Sequence, residues 1–386
     1  MEINDDTLTH LKEVDYRLLY HQLEGRVTSV TTYDNVAFVG LANNGCHVFR
    51  IDDSDITPLV RLGKPPEVPT KGRRDKSKHS SGTTCHDIHV SAKWLIYIRE
   101  EDDACAICVH AMTDVLAGEE RVHATHSIRR RTAMVTEPEL NLVILATSES
   151  HVRVLHLPTF ETRADWKVTD NSVSILRTQT TAAHSMLGVA DTWTGLSVYD
   201  LRCPTADGRY ERLYQVPVEE IRNFELVDDF VAVFHKFEPN VSFWNMREQN
   251  TILCINIQDQ MKELCDHALA GGDDVIDDDI DCGVYGSDDD DHVTLITSVL
   301  RSAEADADDH VLIYGTKSGC VFGMSVRSRC KLFNVPCPAE VTQGSAATTT
   351  RRDVTGLRYL PGGRLLVVYE RHGLAVLDFG GTAVQS

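Results

Sequence analysis

The chain has 386 residues, 42% of them hydrophobic, and a formal net charge of −20. That is enough apolar material for a large core, and no run of about 18 apolar residues is present to cross a membrane as a helix. The acidic balance argues against direct nucleic-acid binding, which needs clustered Lys and Arg on a surface. The acidity is local: residues 270–310 alone carry thirteen Asp and one Glu against one Arg.

The acidic, polar start MEINDDTLTH lacks the basic and apolar pattern of a secretory signal. Residues 1–15 read as a separate segment, with Asp6 or Thr7 placed to cap a short helix over Leu8–Val14. Eleven cysteines are spread thinly, several inside strand-like runs (Cys46, Cys105, Cys320). The expectation is a reduced intracellular protein with buried thiols, cytoplasmic or nuclear.

From Tyr16 onward the chain repeats itself. The stretch YRLLYHQL (Tyr16–Leu23) and then Val27–Tyr33 are strand-like. A nearly continuous apolar run follows at Val36 (VAFVG), and similar runs recur at Trp94, Leu142, Met186, Phe230, Val311 and Leu365. Such runs fit strands buried on both faces. After each, across a few turn-type residues, comes a strand with apolar second and fourth positions: GCHVF, ACAIC, HVRVL, GLSVY, NVSFW, GCVFG and GLAVL. Each pair is a hairpin signature. Successive instances lie 59, 47, 44, 45, 79 and 54 residues apart, against roughly 40–45 for a WD-type propeller blade. The three long spacings call for insertions. These are a basic loop near 64–82, an acidic stretch at 270–309 that ought to be disordered and dispensable for the fold, and the Thr/Ala/Ser-rich Gln343–Arg352.

The pattern predicts an all-β protein, a seven-bladed β-propeller over residues 16–380 with a short tail at 381–386. After Gly373 the sequence supplies one strand, LAVLDF, so the last blade lacks its outer strand. Tyr16–Leu23 has no blade of its own and is expected to close the ring there, leaving only short edges.

SVYDLR (Ser197–Arg202) and SFWNMR (Ser242–Arg247) resemble the repeat ending of the WD-repeat propellers. The resemblance implies a rigid ring whose faces dock other proteins, commonly as a subunit of an intracellular complex, with no enzymatic activity and no cofactor. Arg202 and Arg247 end these phrases in consecutive repeats. They also resemble the arginine boxes by which some WD-repeat proteins dock the adaptor of a cullin-type ubiquitin ligase, which makes a substrate receptor the alternative reading.

Among further candidates, Trp193 lies in a predicted turn, where an exposed aromatic side chain would anchor a partner. Asp288, Asp289, Asp290 and Asp291 could attract a basic partner through a salt-sensitive field. Lys64, Lys71, Arg73, Arg74, Lys76 and Lys78 form a basic loop. Cys105 and Cys108 make the one C-x2-C pair; residues three apart on a strand face opposite ways, so they read as core residues. Cys85 and His89 would share a face of a strand, a two-ligand half site at most. No phosphate-binding loop, nucleophile elbow or zinc-protease motif occurs.

Overall fold

The continuous apolar runs become the second strands of sheets and the shorter patterned stretches become the third. The computed structural model describes residues 17–379, apart from 64–82, 102–103, 129–130, 148, 182–183, 192, 194, 237–239, 257–292, 303–307, 318, 326–330, 336, 339–352, 362 and 371–372. Within them lie seven four-stranded antiparallel sheets, and the chain is an all-β β-propeller. The sheets begin with the strands Val27–Tyr33, Thr84–Val90, Arg131–Glu137, Val173–Thr180, Ile221–Val227, Val293–Ser302 and Val354–Leu360. These first strands touch one another in circular order, the last meeting the first. In the seventh sheet the fourth position is held by Arg17–Gln22, paired antiparallel with Gly373–Asp378 so that Arg17 opposes Asp378. The sequence did not announce a one-turn helix at Met112–Leu116, which buries Met112 and Val115. No helix among the described residues is long and apolar enough to cross a membrane.

The apolar runs are buried on both faces because each sheet packs against two neighbours. Val36–Leu41 is wholly buried, and its side chains alternate between two clusters. Ala37, Val39 and Leu41 pack toward the seventh sheet, with Leu366, Val368 and Leu374. Val36 and Phe38 pack toward the second, with Cys85, Leu95 and Tyr97. The period of two along a strand thus divides each run between two junctions. Seven apolar clusters result among the described residues, one at each junction between neighbouring sheets. Each fully buried Leu or Phe side chain contributes about 1.5–3 kcal/mol. Gly188 shows how closely the sheets approach: a Cβ there would lie 2.5 Å from the Phe224 ring of the next sheet.

The first strands share a second feature. In all seven the pairing with the second strand slips, after the first residue in six of them, as between Val27 and Ser29, Val173 and Ile175, or Ile221 and Asn223, and in mid-strand in the second sheet. A bulge re-aims side chains and increases local twist, here around the central channel. In the second sheet it corrects a sequence expectation. Asp87 adopts left-handed backbone, at φ 43, and the three-residue step from His86 to His89 spans a two-residue step, Ile98 to Ile96, on the partner strand. The extra residue reverses the alternation, so Cys85 and His89 point to opposite faces and form no half site. Cys85 packs in the core, while His89 meets the Met134 carbonyl at 3.2 Å.

A further correction concerns the acidic stretch. The strand Val293–Ser302 lies inside the 270–309 range and is the first strand of the sixth sheet. Its run VTLITSVL was hidden between two acidic clusters, so that range is not a dispensable insertion. The segment 1–15, the basic loop 64–82, Asp288–Asp291 and most of Gln343–Arg352 lie outside the described residues. Among described cysteines, Cys46, Cys85, Cys108 and Cys320 are buried free thiols and Cys105 is partly buried. Burial pushes the Cys85 and Cys108 thiols up, which leaves them unreactive.

Candidate interaction face

Antiparallel order gives the propeller two faces. One carries the turns between second and third strands and the connections from each fourth strand to the next sheet. The other carries the first-to-second and third-to-fourth turns. Trp193 joins Ser185–Asp191 to Gly195–Pro204, the second and third strands of the fourth sheet, and so lies on the first face. Arg202 lies near the far end of the same third strand. At about 3.3 Å per residue, it is roughly 25 Å away on the other face.

The Trp193 turn is built by its neighbours. Asp191 is buried, and its carboxylate accepts the Trp193 backbone N–H at 2.8 Å and the Thr169 hydroxyl at 2.6 Å. It therefore ties this turn to the connection arriving from the third sheet. Gly195 sits at φ 109, where a Cβ would come within 2.8 Å of the Val216 carbonyl, so glycine is required for the third strand to begin there. The indole is left 59% exposed; Val122 is the other large apolar side chain exposed among the described residues. It does not pack between sheets. Lys236 Nζ lies 5.8 Å from the ring centroid, a cation–π contact of about 0.5–1 kcal/mol at an exposed site.

Two polar notches flank the indole. One, of about 280 Å3, is lined by Thr169, Asp170, Asp191, Gly195, Arg212 and Gln215. The other, of about 360 Å3, is lined by Pro217, Val218, Glu219, Glu220, His235 and Ser242. Ordered side chains shape both: Arg212 Nη1 donates to Gln215 Oε1 at 3.1 Å, as does Ser197 Oγ at 2.8 Å, and His235 Nε2 lies 2.8 Å from Ser242 Oγ. Lys167, 2.6 Å from Asp170, holds that carboxyl below the usual range. Asp170, Asp191, Glu219 and Glu220 against Lys167, Arg212 and Lys236 leave the area a small negative bias.

Arg202, near the end of its third strand, and Arg247, in the third-to-fourth turn of the next sheet, both lie on the other face. Each guanidinium is already engaged. Arg202 grips Asp200 through Nε at 2.9 Å and Nη2 at 2.5 Å, which lowers the Asp200 carboxyl. Arg247 Nη2 meets Asp229 at 2.7 Å. Trp193 and this arginine pair are not one site. Among the described residues, no three His, Cys, Asp or Glu side chains are placed to hold a metal ion.

The sequence offered no sign of Asp191, Thr169 or the two notches. They are brought together from connections some 20–50 residues apart, and only the turn containing Trp193 carries a local signal.

No protein-family model and no curated relative matches the sequence. Among solved structures, the chain is similar to the WD40 beta propeller domain of Doa1, with 10% identity, coverage of 94% of this chain and 95% of that one, and a TM-score of 0.57. It is also similar to the computationally designed Ika8 protein, with 15% identity, coverage of 91% and 83%, and a TM-score of 0.50. At these identities the likeness shows the fold alone, a β-propeller.

Proposed function

We propose that this chain is a non-catalytic protein-interaction platform, a subunit of a multiprotein complex, and that it contacts its partner through the face bearing Trp193. The observation that carries this reading is an exposed indole held by a buried carboxylate between two polar notches. A rigid aromatic side chain standing in water is the usual anchor of an interface. The carboxylates of Asp170, Glu219 and Glu220 favour a basic segment, with a Lys or Arg of the partner taking the place of Lys236 on the ring. The connections containing 64–82, 257–292 and 339–352 all run from a fourth strand to the next first strand, and so leave and rejoin the ring on this same face. Asp288–Asp291 belong to one of them and would add to the attraction of a basic partner.

The platform is read as one ring of seven blades over residues 16–380, closed by Arg17–Gln22. The pairing of that strand with Gly373–Asp378 supports this, as does the packing of Leu19 and Leu23 with Leu366, Val368 and Leu374.

The test is affinity purification with quantitative mass spectrometry, comparing wild type with Trp193→Ala at low and high salt. Partners should fall at least tenfold in the variant, an alanine cost of about 2 kcal/mol at a hot spot, and should weaken with salt. The melting temperature should stay within about 1 °C, since an exposed side chain is removed. Unchanged partner recovery with Trp193→Ala would refute the reading.

A further inference from the structure

The bulged first strands aim several charged side chains at the channel mouth on the Trp193 face. A cavity of about 290 Å3 lies there, lined by Asp87, Ser174, Arg177, Arg222 and Asn223 among others, from the second to the fifth sheets. Arg177 is held in place. Its Nη1 donates to the Leu176 carbonyl at 2.8 Å, its Nη2 donates to Asn223 Oδ1 at 2.7 Å, and its Nε lies 3.7 Å from Glu225. Arg222 is partly buried and has no hydrogen-bond or ion-pair partner among the described residues. From the seventh sheet, Arg358 donates to the Leu357 carbonyl at 2.7 Å and likewise meets no carboxylate in ion-pair range. It is near enough to Arg177 for the two charges to oppose each other, and with burial this brings its guanidinium down to about 10.

Among the described residues, three guanidinium groups thus face two carboxylates, Asp87 and Glu225. Asp87 is partly occupied in accepting the Met134 N–H at 3.2 Å. His89 adds no positive charge near neutral pH, because burial lowers it to about 4. A partly enclosed site of net positive charge, with a fixed arginine fork and a second arginine lacking a partner, is complementary to an oxyanion. Ser174 and Asn223 add polar groups to the same wall.

We propose that this channel mouth binds a small oxyanion, a phosphate or carboxylate group, between Arg177 and Arg222, with Arg358 supplying further positive potential. The assignment is independent of the protein partner proposed for Trp193.

The test measures the melting temperature of the full chain in low-millimolar inorganic phosphate or malonate, each against chloride at matched ionic strength. At ten times its Kd, a bound anion should raise the wild-type melting temperature by about 2 °C. Arg222→Gln, which breaks no described contact, should abolish the rise, and Arg358→Met should reduce it. A rise with phosphate alone assigns the site to tetrahedral anions, and a rise with malonate alone assigns it to carboxylates; either supports the proposal. No rise with either anion overturns it. So does a rise that persists in Arg222→Gln, because that is the general stabilising effect of excluded salts.

Discussion

His89 shows what one side chain in the channel does to the stability of the whole. Its Nε2 lies 3.2 Å from the Met134 carbonyl, and burial lowers it to about 4, with Arg358 and Arg177 pushing the same way and Asp87 opposing. An unfolded histidine titrates near 6.5. Below that value the unfolded chain binds a proton that the folded chain refuses, so His89 favours the fold at neutral pH. That contribution is lost as pH falls from 6.5 through about 4, at a slope of up to about 1.4 kcal/mol per pH unit. His89→Gln keeps a donor for the carbonyl and removes the titration. Urea unfolding between pH 7 and 4 should show a shallower loss of stability for the variant. Parallel curves for the two proteins would mean that His89 is protonated in the fold.

The sheets depend on close approach at their junctions, and Gly188 is where one such approach leaves no room. Gly188→Ala places a methyl group 2.5 Å from Cε2 and 2.8 Å from Cζ of Phe224. The ring is fully buried, so it has little space to retreat. Overpacking of this kind costs about 1–3 kcal/mol, and the variant should unfold at lower urea than wild type with an unchanged slope. The same geometry explains what could be read from the sequence. Second strands were legible because burial between two neighbours makes them nearly continuously apolar, as in Val36–Leu41, and third strands because their second and fourth positions are apolar, as in His151–His156. Apart from Val27–Tyr33, first strands were not, because one side faces the channel and is polar and a bulge breaks the alternation, as in IRNFELV at Ile221. Fourth strands such as Glu161–Lys167 are largely exposed and read as loop. Trp193 stood out because a lone aromatic residue in a turn is a local signal. Arg177, Arg222 and Arg358 lie on three separate strands and become neighbours only when the sheets assemble.

At the scale of the whole molecule, the proposed contact features lie on one face: Trp193 with its notches, the channel mouth, and the ends of all three long connections. The arginine pair on the other face is occupied by its own carboxylates. The proposed closure of the ring gives a direct test. Removing residues 1–22 would leave the edge of Gly373–Asp378 unpaired and strip Leu19 from the junction of the first and seventh sheets. Exposed edges invite pairing with other chains. The truncated protein should therefore elute as oligomers or unfold at a lower temperature. A monomeric product with wild-type melting, seen by size exclusion and circular dichroism, would rule out closure by this strand.

The pairing of Arg17 with Asp378 also has a consequence in time. A ribosome adding about 5–20 residues per second makes the first of these strands tens of seconds before its mate. Throughout that interval Leu18 lacks the sixth- and seventh-sheet residues it packs against, and Leu19 lacks its seventh-sheet neighbours Leu366, Val368 and Leu374. If this strand closes the ring as proposed, the joint forms only once Gly373–Asp378 has been made, so a nascent chain stalled before that point is a better substrate for a chaperone than one that has passed it.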